Sequence, residues 1–307
     1  MSAPNLVVVG SVAYDSIETN ARAEKDVLGG SATYFSLASQ VLAPTGVVAV
    51  VGNDFKPEHK HLLAHRGIDL AGLVTEAGET FRWGGKYDDE LKDRETLFTL
   101  LNVFADFSPK LPESYKSAPY IFLANIDPDL QLDVLKQCTA PKFVALDTMN
   151  FWIQGKPDSL LQLLPRIDAI FINDTEAFEL TGQRNLLLAA RWIHQHGTPI
   201  AVIKKGEHGA VIIAKDDVMV VPAFLLTDVA DPTGAGDSFA GGMVGALARL
   251  DDTSPDSLRT AAAVGTIAAS FCVQEFGPGR LANLDLATMQ TRLREFWSRI
   301  RIPGTVL

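Results

Sequence analysis

The chain alternates short apolar segments with longer segments of helical spacing, and this alternation restricts the fold more than any other feature. The apolar segments have the composition of buried strands. They lie at 6–10, 46–51, 120–124, 143–147, 169–173, 200–204, 210–214 and 218–221. Helical patterns lie at 32–42, 55–66, 129–138, 158–164, 175–181, 185–196, 236–250, 255–273 and 285–299. Such alternation predicts an α/β fold of three layers, with helices on both faces of a mostly parallel sheet.

Residues 79–107 do not follow this alternation. Segments 80–87 and 94–103 are rich in aromatic, threonine and charged residues, and the acidic turn 88–93 separates them. Neither side of the pattern is consistently apolar, so it predicts a hairpin outside the main core. We interpret the hairpin as a small β lid on a single domain, 1–307, because no repeat or linker divides the chain.

The acidic balance of the chain disfavours some classes of function. Lys and Arg number 27 against 37 Asp and Glu, so the formal net charge is −10. Proteins that act on nucleic acid need a basic surface, so we expect no nucleic-acid partner. No apolar stretch reaches the roughly 20 residues that span a bilayer, and no basic, apolar leader precedes the first strand. We therefore expect a cytoplasmic protein that does not bind membranes.

The segment 231–239, Asp-Pro-Thr-Gly-Ala-Gly-Asp-Ser-Phe, carries the strongest chemical signal. Gly234 and Gly236 lack a Cβ atom, so the backbone there can approach a ligand closely. The helix that follows begins with unpaired N–H groups and a partial positive charge, which suit an anion. Asp237 would repel a phosphate, but it suits a base that removes the proton of a hydroxyl attacking that phosphate. The segment predicts phosphoryl transfer to an alcohol.

Polar side chains gather where the predicted strands end. These positions include Asp15, Asn53, Asp54, Asn125, Asp127, Asp147, Asn173, Glu176 and Lys204. Ligands of such sheets bind at the carboxyl ends of the strands. Acids and amides there suit the recognition of hydroxyl groups and of Mg²⁺ held largely through water.

Several motifs, taken in their order along the chain, resemble the PfkB (ribokinase-like) carbohydrate kinase family. The Gly-Ala-Gly-Asp run at 234–237 is similar to the C-terminal signature of that family, and Gly29-Gly30 before a helix is similar to its N-terminal signature. Asn173-Asp174-Thr175-Glu176 is similar to its Asn-x-x-Glu motif, and 204–209 is similar to its nucleotide loop. The resemblance covers nearly the whole chain. It implies a ribokinase-like fold with lid insertions at about 11–28 and 79–107.

The resemblance also implies a role for each matching residue. The implied catalytic set is Asp237 as the base, with an anion hole made by the backbone amides of Gly234, Ala235 and Gly236. The implied substrate contacts are Asp15, Gly29, Gly30, Tyr34 and Asn53. The implied ATP contacts are Asn173, Glu176, Lys204, Gly206 and Gly209, with Glu176 also holding Mg²⁺ through water. Open strand edges in the lid imply a homodimer.

The chain departs from the family pattern at points that leave some roles open. Tyr34 stands where many sugar-kinase members have an asparagine, so its ring either stacks on the substrate or packs. Pro232 replaces a frequent threonine, which leaves K⁺ binding by Asp231 an open expectation. The lid cations either bind an anionic group of the substrate or pair with the acids at 88–90. These cations are Arg82, Lys86 and Arg94.

Each motif also has a purely structural interpretation. Asn173 and Glu176 have the spacing of a helix capping box. Asp237 could simply cap a helix, because carboxylates favour that position. Lys204 could be the solvated end of a strand.

Taken together, these features favour an ATP-dependent phosphotransferase that acts on a hydroxyl, most simply a primary alcohol, of a small sugar, polyol or nucleoside. A catalytically silent ligand-binding or regulatory protein on the same fold is an alternative, since a fold does not fix a function. A second alternative is a vitamin-type kinase acting on hydroxymethylpyrimidine or pyridoxal. Those relatives usually lack an extended lid, so the predicted hairpin disfavours them.

Overall fold

The computed structural model describes residues 3–20, 22–88, 90–91, 94–215 and 217–301. Its strands are β1 (Leu6–Val9), β2 (Ala13–Glu18), β3 (Ala23–Gly29), β4 (Thr45–Gly52), β5 (Asp69–Glu76), β6 (Phe81–Tyr87), β7 (Arg94–Leu100), β8 (Tyr120–Leu123), β9 (Phe143–Asp147), β10 (Ala169–Asn173), β11 (Ile200–Lys204), β12 (Ala210–Ala214) and β13 (Asp217–Val221). Its helices are α1 (Ser31–Gln40), α2 (Pro57–His65), α3 (Pro128–Gln137), α4 (Asn150–Gly155), α5 (Pro157–Leu163), α6 (Asp174–Thr181), α7 (Leu186–Gln195), α8 (Ala235–Leu250), α9 (Pro255–Cys272), α10 (Gly279–Ala282) and α11 (Leu286–Ile300).

The main sheet has nine strands in the order β13-β12-β11-β10-β9-β8-β1-β4-β5. Neighbouring strands are parallel from β5 to β11, and β12 and β13 continue the sheet in antiparallel pairing. Because the parallel strands all end at the same edge, the polar residues that follow them come together there.

Helices cover both faces of the main sheet, and the side chains of β1 illustrate the division. Val8 joins an apolar cluster that includes residues of α1, α8 and α9. Val7, which points the other way, joins a cluster that includes residues of α3, α5 and α7. Strands buried on both faces are expected to read as continuous apolar runs, which is why the predicted and observed central strands agree closely.

A separate sheet of four strands, in the order β3-β2-β6-β7, stands beside the main sheet. Strand β2 pairs with β3 in antiparallel fashion and with β6 in parallel fashion, and β6 and β7 form the predicted hairpin. We call this the small sheet. It joins the segment after β1 to the hairpin, so residues distant in sequence share its surface.

The predicted fold class is confirmed: helices flank a large, mostly parallel sheet, and a smaller sheet stands apart. Strand β5 was not predicted, because the segment 69–76 is half-exposed and has no regular apolar pattern. Helix α4, a short helix of six residues, was not predicted either. The hairpin strand predicted to reach 103 ends at Leu100, because Asn102 has a φ of 51° and leaves the extended conformation. Among the described residues no helix has both the length and the apolar character to cross a membrane.

Candidate active site

The turn before α8 contains the Gly-Ala-Gly-Asp run. Gly234 is left-handed, with a φ of 76°, and α8 begins at the next residue. A Cβ atom on Gly234 would lie 2.4 Å from Cγ of Tyr34, so the tyrosine ring fills the space against the turn. Both the backbone angle and this contact require glycine. The Ala235 amide already donates to the Pro232 carbonyl at 3.1 Å, and the first bond between successive turns of α8 is made by the Ser238 amide. The amides between them lie before that bond and suit an anion.

Asp237 lies half-buried in the first turn of α8. Burial raises its pKa to about 7, the carboxyl of Asp147 adds to the rise, and Lys204 opposes it. An exposed aspartate has a pKa of about 3.9 and is a weak base. A carboxyl that titrates near neutral pH is a stronger base and is still substantially ionised there, which suits proton removal from a hydroxyl.

Lys204, at the end of β11, brings a positive charge to the same turn. Its Nζ lies 2.8 Å from Oδ2 of Asp147 at the end of β9, and it would lie 3.3 Å from a Cβ atom built on Gly236. Burial alone would lower the pKa of Lys204, but the carboxyls of Asp147, Glu176 and Asp237 together outweigh it and raise the pKa. The lysine is therefore charged and stands beside the amides of the turn.

Asn173 and Glu176 form a capping box at the start of α6. The Asn173 side chain accepts from the Glu176 amide, and the Asn173 amide donates to Oε2 of Glu176, both at 2.7 Å. Burial raises the pKa of Glu176 to about 7, Lys204 opposes that rise, and Asp147 adds to it. The structural interpretation of this motif is thus correct, and the same bonds hold the Glu176 carboxyl beside Lys204.

Asp15, in β2, is a buried acid on the other side of the site. Burial raises its pKa to about 7, an amide bond from Gly30 opposes the rise, and Asp231 and Asp237 add to it. A Cβ atom on Gly29 would lie 1.9 Å from Oδ2 of Asp15, so only glycine leaves room for this carboxyl. The carboxyl has the position and polarity to accept a hydrogen bond from a ligand hydroxyl.

The Gly29-Gly30 turn is held by two serines that follow β1 and open α1. The amide of Ser31 donates to Oγ of Ser11 at 3.0 Å, and the amide of Ser11 donates to Oγ of Ser31 at 3.2 Å. Gly30 has a φ of 92°, and a Cβ atom there would lie 2.5 Å from the Ser11 carbonyl oxygen. These reciprocal bonds fix the turn against the end of β1.

Buried oxygen atoms near this site that have no hydrogen-bond partner among the described residues include the Tyr34 hydroxyl, Oγ of Ser238 and Oδ2 of Asp231. The other carboxylate oxygen of Asp231 accepts from the Thr233 amide at 2.8 Å. Burial raises the pKa of Asp231, and burial together with the Asp15 carboxyl raises that of Tyr34. A buried carboxylate oxygen left unpaired is costly, so it suits a bound cation.

The remaining predicted contacts lie in more open places. Asn53 is exposed just after β4, with its amide bonded to the Gly78 carbonyl at 2.9 Å. A Cβ atom on Gly206 would meet nothing within 4 Å, whereas one on Gly209 would lie 2.1 Å from the Val221 carbonyl oxygen. Gly209 therefore fixes its loop against β13, and Gly206 leaves the loop surface open.

The cations of the small sheet have different surroundings. Arg82 pairs with Asp26 and Asp54, and its pKa is raised because those two carboxyls outweigh its burial. Lys86 is exposed, whereas Arg94 stacks on the Trp83 ring, with Cζ 4.9 Å from the ring centroid. Arg82 is thus neutralised by acids of the chain itself. Asp89, one of the acids predicted to pair with these cations, lies outside the described residues.

The sequence did not assign a role to Asp147 or Tyr87, although both belong to this site. Asp147 was visible as an acid ending a strand, and its partner Lys204 lies 57 positions away, two strands across the sheet. Tyr87, buried in the small sheet, places its hydroxyl 3.0 Å from Oγ1 of Thr233. Neither contact has a local sequence signal, because each joins elements distant in sequence.

Comparison with known proteins identifies the family. Residues 3–283 match the model of the pfkB family carbohydrate kinases. Cytidine kinase of Thermococcus kodakarensis is 28% identical over 80% of this chain and 89% of its own. Nucleoside kinase of Methanocaldococcus jannaschii superposes with a TM-score of 0.77, covering 96% of this chain and 100% of its own at 22% identity.

A protein of Escherichia coli described as ribokinase II, in complex with ATP and Mg²⁺, superposes with a TM-score of 0.78 over 96% of this chain and 100% of its own, at 18% identity. The expected resemblance is therefore confirmed over nearly the whole chain. This chain belongs to the pfkB family of carbohydrate kinases and is a carbohydrate or nucleoside kinase.

Proposed function

We propose that this protein transfers the γ-phosphoryl group of ATP to a hydroxyl of a small, uncharged acceptor, with a nucleoside as the first candidate. The observation that carries the proposal is the position of Asp237. This half-buried acid, with a pKa near neutrality, lies at the Gly234–Gly236 turn, within the electrostatic reach of Asp15 on one side and Lys204 on the other.

Each side chain has a distinct task in this proposal. Asp237 takes the proton of the acceptor hydroxyl as that oxygen attacks the γ-phosphorus. The amides of the turn and the Lys204 ammonium bind the negative charge of the transferring group. Asp15, supported by the Gly29-Gly30 turn, accepts hydrogen bonds from other hydroxyls of the acceptor and so orients it.

The nucleotide side of the site suits a hydrated Mg²⁺. Glu176 is a carboxyl with limited solvent access, and burial disfavours its charged form unless a cation compensates it. Lys204 does so only in part, because its ammonium is bonded to Asp147. When bound, Mg²⁺ would neutralise charge on the phosphates of ATP. Glu176 would hold it through water, because one of its oxygens already serves the capping box. Asn173, Gly206 and Gly209 remain predicted nucleotide contacts.

An uncharged acceptor is favoured by the charges around Asp15. Among the ionisable groups that act on the Asp15 carboxyl, Asp231 and Asp237 each raise its pKa by more than Arg94 lowers it. Arg82, one of the lid cations that the sequence offered as a partner for an anionic substrate, is already paired with two carboxyls. A phosphorylated acceptor would meet like charge here. The nucleoside class is suggested by the cytidine kinase relative.

The test is to measure ADP formation with nucleosides, ribose, fructose, myo-inositol, fructose 6-phosphate and pyridoxal under identical conditions. We expect the highest kcat/KM with a nucleoside and a value at least about 100-fold lower with the sugar phosphate, because an unpaired charge is brought among acids. A sugar phosphate as the best acceptor would contradict the uncharged-acceptor proposal. Pyridoxal as the best acceptor would favour the vitamin-type alternative. ATP consumption with none of them would favour the silent-binding alternative.

The unpaired oxygen of Asp231 supports activation by K⁺. We expect turnover to rise severalfold when KCl replaces N-methylglucamine chloride at constant ionic strength, because a monovalent cation would satisfy the buried Oδ2 atom. Asp231→Asn should remove this difference between the two salts. Equal turnover of the unmodified protein in both salts would contradict K⁺ binding at this residue.

The homodimer stays a prediction, and the edge strand of the small sheet supports it. Strand β7 lies at that edge and exposes Leu97, Phe98 and Leu100. An exposed apolar edge strand tends to pair with another chain. The single-domain division and the lid role of the small sheet are retained in this proposal as well.

A further inference from the structure

One end of the small sheet presents Tyr87 and Arg94 together. The ladder of β6 and β7 pairs Tyr87 with Arg94 and pairs Lys86 with Glu95. Paired residues in an antiparallel ladder share a face, and successive residues along a strand point to opposite faces. Tyr87 is buried while Lys86 and Glu95 are exposed. Arg94 therefore lies on the same face of the small sheet as Tyr87, and we call this the inner face.

This inner face lies directly against the Gly-Ala-Gly-Asp turn. The Tyr87 hydroxyl is 3.0 Å from Oγ1 of Thr233, the residue before Gly234. The Arg94 guanidinium, next to Tyr87 across the ladder, is stacked on the Trp83 ring, with Cζ 4.9 Å from the centroid. A cation over an indole face is attracted to the ring, so Trp83 restrains the direction of Arg94 while its charge stays accessible.

Arg94 acts on both sides of the site. Burial raises the pKa values of Asp15, Asp237 and Glu176, and the positive charge of Arg94 opposes the rise in all of them. Asp15 belongs to the acceptor side and Glu176 to the nucleotide side. Together with the place of Arg94 opposite Tyr87, whose hydroxyl contacts Thr233 of the turn, this puts the guanidinium charge next to the Gly-Ala-Gly-Asp turn.

We propose that Arg94 is a catalytic residue whose guanidinium binds the phosphoryl group as it passes from ATP to the acceptor. The inference rests on the proposed function and extends it. In the step, the acceptor oxygen forms a bond to the γ-phosphorus, the bond from that phosphorus to the β,γ-bridging oxygen breaks, Asp237 receives the hydroxyl proton, and ADP leaves. Lys204 and the turn amides bind the phosphoryl oxygens from the side of the main sheet, and Arg94 binds them from the small sheet.

Arginine suits this position for reasons of chemistry. Its planar guanidinium keeps its charge and can donate two parallel hydrogen bonds to phosphoryl oxygens. Charge on those oxygens is the main feature that a phosphotransferase must stabilise, and an arginine supplied from outside the phosphate-binding loop does so in other phosphotransferases. The Tyr87–Thr233 contact couples the position of the small sheet to the turn. Arg94 therefore reaches the phosphoryl group only when the small sheet lies against that turn.

The test compares Arg94→Ala with Arg94→Lys and with Lys86→Ala, an exposed residue of the same hairpin. We expect Arg94→Ala to lower kcat about 100-fold, as loss of one charge-stabilising donor does elsewhere, while calorimetric Kd values for ATP and for the acceptor change less than about threefold. Arg94→Lys should restore part of kcat, and Lys86→Ala should match the unmodified protein. Arg94→Ala should also weaken binding of ADP with aluminium tetrafluoride, which mimics the group in transfer, but not binding of ADP alone.

The outcomes separate this inference from the proposed function. If the unmodified protein turns over an acceptor and Arg94→Ala keeps its kcat, the inference is overturned and the proposed function stands. An Arg94→Ala variant that loses only acceptor affinity also overturns it. If the unmodified protein neither turns over any acceptor nor binds the aluminium fluoride complex, the proposed function fails and the inference fails with it.

Discussion

Replacing Asp237 with asparagine is expected to lower turnover by about a thousandfold while ATP still binds. The amide has the shape of the carboxyl but cannot accept the hydroxyl proton. Asp237 lies among other acids, and Asp147 raises its pKa. Removing its charge relieves that repulsion, so the variant should be at least as stable as the unmodified protein. Steady-state turnover, calorimetric ATP affinity and thermal unfolding measure the three expectations.

The matched control is Asp256→Asn. Asp256 also stands in the first turn of a helix, α9, but its side chain is 97% exposed and pairs with Arg259 at 3.3 Å. Its replacement should leave turnover unchanged. Near-normal turnover of Asp237→Asn with the same acceptor would show that this acid is not the base. It would leave Asp237 as an acid of the first turn only, because Gly234 is the N-cap of α8 and no side chain makes a capping hydrogen bond there.

The same assignment predicts the pH dependence of the unmodified protein. Asp237 must be ionised to act as the base, and its pKa is about 7, so kcat/KM should fall as the pH drops below that value. Asp15 and Glu176 titrate in the same range. Because the three acids lie in one site, the acidic limb reports coupled titrations rather than one residue. A flat profile down to pH 5 would contradict the burial of these acids.

The parts of the fold that the sequence predicted are those with local signals. Central strands such as 169–173 are apolar on both faces, and Gly234 before Asp237 marks a helix start that needs a left-handed residue. The capping box at Asn173 and Glu176 was also readable, because its partners lie three residues apart. In each case the determining contact falls within one turn or one strand.

The parts that the sequence did not predict depend on contacts across the chain. Nothing in the local sequence of Tyr34 says that its ring lies against Gly234, 200 positions on, nor that Tyr87 meets Thr233. The pattern of lid cations could not separate Arg82 from Arg94, because the partners of Arg82 come from the loop after β4 and from β3. Only the assembled sheet order decides which charges face the site.

Replacing Lys204 with methionine is the second change with a large expected effect, and it acts on stability as well as on turnover. The pair of Lys204 and Asp147 is largely withdrawn from water, with 19% and 6% of the side chains exposed. Methionine keeps the length of the side chain but leaves the Asp147 carboxyl buried without its cation. We expect a loss of about 3 kcal/mol in the free energy of unfolding, at the lower end for broken buried pairs because Lys204 is not fully buried.

The neighbouring residue provides the control. Lys205 also pairs with an aspartate, Asp174, at 3.3 Å, but both side chains are more exposed, at 31% and 48%. Lys205→Met should cost less than about 1 kcal/mol, because solvent screens such a pair. Urea unfolding of the two variants at pH 7.5 measures the difference. Equal losses would mean that the Lys204 pair is no more desolvated than a surface pair.

A double variant separates the lost charge from the lost packing. Lys204→Met combined with Asp147→Asn removes both charges and leaves a neutral amide in the place of the carboxyl. If the cost of the single variant comes from an uncompensated buried charge, the double variant should regain most of the lost stability. Its turnover should stay low, because the phosphoryl group still lacks the Lys204 ammonium beside the Gly234–Gly236 amides. Recovery of stability without recovery of turnover, with the single variant Asp147→Asn still active, would therefore assign Lys204 to catalysis and would make its pairing with Asp147 the means of holding that charge in position.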